Sequence, residues 1–250
     1  MSDIHGNLLA LDAVLADDAA RSVDSWWVLG DLVLLGPEPS EVLERLTALP
    51  DVAFVAGNTE RYVVTGDRPY PHADDVARDP SLQARFDEVE AGCSWTRHAV
   101  DAAGALDWLA ALPAEQRTTL PDGTRLLGVH ASPGRDDGPG IAPDVPEADL
   151  AAALGDAGAD VVCAGHTHRA TDRMAGGVRA VNLGSVSNAV VPDRRASYVV
   201  LDSARHGYDL THHWVDYDHD EAIARLRRSG HPAVDYLAGF QRVDPSPAAP

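Results

Sequence analysis

Residues Val161 to His168 read Val-Val-Cys-Ala-Gly-His-Thr-His, and they constrain the rest of the chain most. The apolar run reads as a buried strand, and the glycine after it turns the backbone at a sheet edge. His166 and His168 follow with one residue between them. In a non-helical turn they can reach two neighbouring metal ions, or one ion from one side. A His-Thr-His pair is weak alone, because such pairs also occur in surface loops. Here other apolar runs end in the same kind of side chain. Trp26 to Leu29 leads into Gly30-Asp31, Val52 to Ala56 into Gly57-Asn58, and Thr124 to Val129 into His130. Ahead of them, Asp3-Ile4-His5 places a carboxylate and an imidazole two apart, on one side of an extended segment.

Between these runs the pattern is helical. Asn7 opens a stripe of Leu8, Leu11, Val14 and Leu15. Ser40 reads as the N-cap of a helix over Glu41 to Leu49. Ser81 to Ala111 reads as two helices meeting near Gly104, and Pro146 to Gly155 as a shorter one. Residues 66–80 and 131–140, rich in Gly, Pro and Asp, read as loops that border a substrate. Val178 to Asn182, Ser197 to Asp202 and Tyr208 to Tyr217 read as later, antiparallel strands. Asp218 to Arg228 and Ala233 to Phe240 read as terminal helices. The expectation is one α/β domain over residues 1–243, with a Pro/Ala-rich disordered tail over 244–250.

Charge narrows the partners. The 250 residues carry 39 acidic and 20 basic side chains, a formal net charge of −19, and no lysine at all. Such a surface repels long polyanions and anionic membranes, which argues against a nucleic-acid scaffold or a membrane role. A small phosphate ester remains compatible, because bound divalent cations invert the local field. The two cysteines, Cys93 and Cys163, form no metal-type pair, which fits a reduced, cytoplasmic protein. No apolar run is long enough to span a bilayer.

The strand-end residues Asp3, His5, Asp31, Asn58, His130, His166 and His168 offer oxygen and imidazole donors without a thiolate. That set suits manganese, iron, zinc, cobalt or nickel better than a structural cysteine-type zinc site. Two metals ~3.5–4 Å apart need a shared carboxylate, and Asp31 is the natural bridge. Arg61, three residues beyond Asn58, is placed to pair with a phosphate oxygen. Asp136 and Asp137 read as a solvated loop and Arg169 as surface. The other seven histidines lack strand-end context.

In order, the five motifs Asp3-Ile4-His5, Gly30-Asp31, Gly57-Asn58, His130 and Gly165-His166-Thr167-His168 resemble the calcineurin-like metallophosphoesterase superfamily. With His130-Ala131-Ser132-Pro133 and Asn182-Leu183-Gly184-Ser185, the chain is most similar to its small bacterial phosphodiesterase-like branch. The resemblance implies a four-layer α/β fold, two mixed sheets face to face with helices outside. It implies one divalent metal on Asp3, His5, Asp31 and His168 and a second on Asp31, Asn58, His130 and His166. The implied reaction is hydrolysis of a small phosphate ester by a hydroxide bridging two metals, manganese foremost, with Asp31, Asn58 and Arg61 catalytic. Alternatives within the family are a phosphomonoesterase, protein phosphatase-like or nucleotide pyrophosphatase activity, and a non-catalytic binding relative.

Two features depart from the family pattern. Thr59 stands where many members carry a histidine that assists the leaving group. A hydroxyl is a far poorer acid near neutral pH, so phosphodiesters and activated aryl esters are the expected substrates. The first central strand also looks truncated, since only Met1 and Ser2 precede Asp3. The expectation is that a longer native chain continues upstream.

Overall fold

The computed structural model describes residues 1–155 and 157–241; the tail expected over 244–250 lies outside them. In chain order the elements are α1 (Leu8–Ala16), α2 (Asp18–Arg21), β1 (Trp26–Leu29), α3 (Pro39–Thr47), β2 (Val52–Val55), α4 (Asn58–Thr65) and α5 (Ala73–Arg78). A 3-10 turn at Pro80–Leu82 leads into α6 (Gln83–Ala102), α7 (Leu106–Ala110), β3 (Glu115–Thr119), β4 (Arg125–Val129) and α8 (Glu147–Leu154). Then come β5 (Val161–Ala164), β6 (Thr171–Ala175), β7 (Val178–Asn182), β8 (Ala196–Ala204), β9 (Gly207–Val215), α9 (His219–Arg228) and α10 (Val234–Gln241). None of the described helices is long and apolar enough to cross a membrane.

Alternating side chains sort these elements into layers. On β1, Trp26 and Val28 face helices α1, α3, α4, α6 and α7, whereas Trp27 and Leu29 face the second sheet. On β5, Val161 and Cys163 meet that same inter-sheet layer, and Val162 and Ala164 pack under α8. The second sheet runs β3-β4-β5-β7-β6, with β4, β5 and β7 parallel and β3 and β6 antiparallel at its edges. The result is an α/β fold of helices, sheet, sheet and helix, as the resemblance implied. The sheets come close at Gly128, where a Cβ would lie 2.8 Å from the Trp27 ring.

The first sheet has an unusual centre. β1 pairs parallel with β2, and β8 pairs antiparallel with β9. Between these ribbons lie only the first residues of the chain. The Met1 carbonyl accepts the Leu29 amide at 3.0 Å, the Asp3 amide donates to Gly30 at 3.1 Å, and the His5 amide donates to Asp31 at 2.9 Å. On the other side Ser2 accepts the Val186 amide at 3.1 Å, and Ser185 accepts the Ser197 amide at 2.9 Å. Residues Met1 to His5 thus form a short ladder beside β1. Beyond Met1, β1 and β8 part around a cavity of about 450 Å³ lined by Trp27, Leu120, Leu126, Cys163, Val199 and Leu201. Burial pushes the Met1 α-amine down to about 6.

Several local expectations need correction. Ser40 is not an N-cap: α3 starts at Pro39, and the Ser40 hydroxyl donates to the Ala99 carbonyl of α6 at 3.2 Å. Proline suits the first helical turn, where its missing N–H costs nothing. Residues 66–80 are not loop throughout, because α5 occupies Ala73–Arg78 and is held by Asp75 on the His72 amide at 2.9 Å. Helices α6 and α7 do meet around Gly104, which takes φ 68°.

Candidate metal centre

All seven candidate ligands converge at the carboxyl ends of parallel strands, where open α/β sheets place their sites. Asp31 follows β1, Asn58 opens α4 after β2, His130 follows β4, and His166 and His168 follow β5. Asp3 and His5 come from the short ladder beside β1. The two sheets are tied together at the site. The Asp3 carboxylate accepts the His166 amide at 3.0 Å, and His130 Nδ1 donates to the Leu29 carbonyl at 2.8 Å.

The turns that deliver these side chains are strained. Seven described non-glycine residues have positive φ, and five of them are Asp3 (57°), His5 (51°), Asp31 (55°), His166 (70°) and His168 (57°). Such conformations cost free energy and persist where the surroundings over-determine them, as at binding sites. Close approach demands glycine at Gly57 and Gly165. A Cβ on Gly57 would lie 2.2 Å from Asp31 Oδ1, and one on Gly165 would lie 1.8 Å from Ser2 Oγ and 2.3 Å from Asp3 Oδ2.

Donor atoms of Asp3, His5, Asp31 and His168 all lie within 4.8 Å of one another. His5 Nδ1 faces the Leu34 carbonyl at 3.0 Å, and His168 Nδ1 faces the Asn188 carbonyl at 2.6 Å. A carbonyl only accepts, so both Nδ1 atoms carry the proton. Both Nε2 atoms therefore face inward, 3.0 Å apart, and His168 Nε2 is also 3.2 Å from Asp3 Oδ1. With both rings neutral, two lone pairs would face each other, a contact that either a proton on His168 Nε2 or a shared divalent cation relieves, and the donor set fits such a cation.

The remaining candidates gather beside this cluster. Asn58 Oδ1 lies 3.0 Å from His130 Nε2 and 2.9 Å from His166 Nδ1, while His166 Nε2 donates to the Gly138 carbonyl at 2.9 Å. An amide flip of Asn58 would turn these into ordinary hydrogen bonds, so this group is less diagnostic than the first. Asp31 reaches both groups. Its Oδ2 is 3.7 Å from His5 Nε2, and its Oδ1 is 3.2 Å from His130 Nε2.

The electrostatics match closely packed donors. Burial resists the charge on Asp31, but His130 and His5 hold its carboxyl far below the usual range. Burial likewise resists charge on Asp3, and His168 pulls it down. His130 is pushed up to about 10, because Asp31 outweighs the burial that lowers it. His5 falls to about 4, mainly by burial. Protons on His130 and His168 thus answer the charge of the two carboxylates, the part a bound cation takes over.

Sequence reasoning missed Glu60. It is 1% exposed. One carboxylate oxygen accepts the amides of Asp31 and Gly57, and the other accepts that of Leu32, each at 2.8 Å. It thereby clamps the ends of β1 and β2 at a fixed separation. Burial first, then the Asp31 charge, raise its pKa to about 7. The available signal was a glutamate three residues after Gly57, at the N3 position of a capping box. Thr59 donates its amide to Asp31 Oδ1 at 2.9 Å, and its hydroxyl faces Glu60 at 3.3 Å.

Arg61 stands one turn into α4. Its guanidinium binds Asp136 at 2.6 Å and both Asp67 and Asp137 at 3.0 Å. Asp136 and Asp137 are therefore not merely a solvated loop. They pin residues 134–138 against α4. Arg169 lies on the surface, paired with Asp144 at 2.6 Å.

Comparison with known proteins agrees with this geometry. Over residues 1–206 the chain matches the calcineurin-like phosphoesterase superfamily domain. It is 42% identical over 66 residues to an uncharacterized protein of Methanocaldococcus jannaschii, a match spanning 26% of each chain, about a quarter of that relative's length. The fold is similar to that of a hypothetical protein from Pyrococcus horikoshii, with TM-score 0.79, 19% identity and 98% of each chain covered. It is also similar to a metallophosphoesterase from Sphaerobacter thermophilus, with TM-score 0.72, 26% identity and 96% of each chain covered. The converging strand ends, the divalent-cation donor set and the extent of the family match lead to one conclusion: this chain belongs to the calcineurin-like phosphoesterase superfamily.

Proposed function

We propose that this protein is a dinuclear metal-dependent phosphodiesterase acting on small phosphate esters, with manganese as its working metal. The observation that carries the reading is Asp31, whose two carboxylate oxygens face the two groups of donors. One cation would sit on Asp3, His5, Asp31 and His168, the other on Asp31, Asn58, His130 and His166. When bound, two divalent cations supply an activated water and Lewis acidity toward the phosphate oxygens. The protein's part is to hold the donors in place. Glu60 fixes the strand ends, and the Leu29, Leu34 and Asn188 carbonyls set the imidazole tautomers. Four of the five N–H donors of Arg61 are already taken by its three carboxylates, which leaves one for a phosphate oxygen.

The diester preference rests on Thr59. It is 3% exposed and turned toward Glu60. It offers no proton to a leaving alkoxide, so the favoured substrates are those whose leaving group needs none. We further place the protein in the cytoplasm, on two buried thiols left unpaired among the described residues.

The test is hydrolysis of an aryl phosphodiester and of the matching monoester by manganese-loaded protein, with Asp31→Asn as control. Diester turnover should exceed monoester turnover and fall at least roughly 100-fold in Asp31→Asn, beyond the effect of altering an outer-shell partner. Equal or greater monoester turnover would overturn the Thr59 argument. Activity that survives in Asp31→Asn would overturn the bridging role.

A further inference from the structure

His168 differs from the other imidazoles in what holds it. Leu29, which orients His130, belongs to a strand. Leu34, which orients His5, is 4% exposed in the large core. The Asn188 carbonyl that takes the His168 proton belongs to the irregular segment between β7 and β8. That segment also touches Asp3. The Ser185 hydroxyl donates to the Asp3 carbonyl at 2.9 Å, and the Ser187 amide lies 3.3 Å from the same oxygen. Two residues of the first donor cluster therefore depend on where residues 185–188 lie.

The outer side of that segment is held from the C-terminal end of the chain. The Gln241 amide nitrogen donates to the Ser187 carbonyl at 3.1 Å and to Asn188 Oδ1 at 3.0 Å. The Tyr217 hydroxyl lies 2.6 Å from Gln241 Oε1 and 2.9 Å from the Ser187 carbonyl, so its single proton serves one of the two. Ser187, Asn188 and Gln241 are buried. Tyr217 and Gln241 both fall beyond the 206 residues that match the family domain.

We propose that Tyr217 and Gln241 are positioning residues for the metal site of Asp3, His5, Asp31 and His168. They lock the Asn188 carbonyl, which sets the His168 ring plane and aims its Nε2. The inference rests on the metal-binding reading above. Outer partners of metal-bound histidines act in this way, and their loss weakens binding roughly 10- to 100-fold.

The test is calorimetric titration of manganese into metal-free, full-length protein. The variants are Tyr217→Phe, Gln241→Leu and Leu154→Ala, with thermal melting of each. Leu154 of α8 is buried in a cluster that contains neither residues 185–188 nor Tyr217 and Gln241, so Leu154→Ala controls for loss of stability alone. Tyr217→Phe and Gln241→Leu should weaken one class of manganese site roughly 10- to 100-fold and spare the other. Leu154→Ala should spare both. Should Gln241→Leu fail to fold, Tyr217→Phe, which removes one oxygen, carries the test. Wild-type affinity in the folded variants, or equal weakening in Leu154→Ala, would overturn the positioning role alone. Wild-type protein that binds no manganese would overturn the metal reading itself, and this inference with it.

Discussion

Glu60 shows how one side chain decides the spacing of a site it does not enter. Its two oxygens satisfy three buried amides from two strand ends. In Glu60→Gln the carbonyl can replace one oxygen, but the new NH₂ must face an amide that also donates. One buried donor is left unsatisfied, which costs about 1–3 kcal/mol. Chemical denaturation should show that loss, and an unchanged midpoint would sink the clamp. The candidate ligands were far more legible than their support. Asp31, Asn58, His130 and His166 stood out because each ends an apolar run, and Asp3, His5 and His168 because they pair with a second donor at fixed spacing; the structure brings all seven together. Glu60 did not stand out, because a glutamate early in a helix is common and its partners lie 28 and 29 residues away. The salt links of Arg61 to Asp136 and Asp137 were hidden for the same reason, since nothing local marks a pairing across 75 residues.

At the scale of elements, strands with an apolar face were readable and polar edges were not. β3, Glu-Gln-Arg-Thr-Thr, is mostly exposed, and β6, Thr-Asp-Arg-Met-Ala, has little apolar alternation. Both are antiparallel edge strands set by their neighbours rather than by their own pattern. Helix α4 begins at the candidate ligand Asn58 and holds two adjacent valines, so propensity did not mark it. The helical cap α9–α10 was readable, and it carries a pH-dependent prediction. Between those helices His231 packs against the Trp95 ring at 4.8 Å and is lowered to about 4 by burial. Its Nδ1 accepts the Ala233 amide at 3.1 Å, and its Nε2 has no partner. The other titratable groups along the same cavity are Arg85, Glu88, Cys93 and Tyr236, the first two paired at 3.4 Å. A histidine kept neutral in the fold contributes fully above its ordinary value of 6.5, and the contribution is lost as pH falls from there toward 4. The loss is at most about 3 kcal/mol. His231→Gln, which keeps an acceptor for Ala233, should flatten stability between pH 6.5 and 4 relative to wild type. Parallel curves would show that His231 does not titrate in this way.

Taken whole, the molecule concentrates its order at one end of its sheets and leaves a gap at the other. The four layers followed from the run of strand-end motifs, because parallel strands bring all their carboxyl ends to one side. The opposite side could not be read that way. There β1 and β8 separate around about 450 Å³ of space, and the two sheets meet through side chains instead of strand-end motifs. Gly128 on β4 marks a close approach: a Cβ there would lie 2.8 Å from the Trp27 ring and 2.9 Å from Leu29 Cδ2. Gly128 is also held in register with Cys163 of β5, so β4 cannot slide to make room. Gly128→Ala should therefore destabilise the fold by about 1–3 kcal/mol, the range for overpacking a core. Chemical denaturation reads that loss. An unchanged midpoint would mean that the Trp27 ring moves aside freely and that the spacing of the two sheets is not fixed at this point.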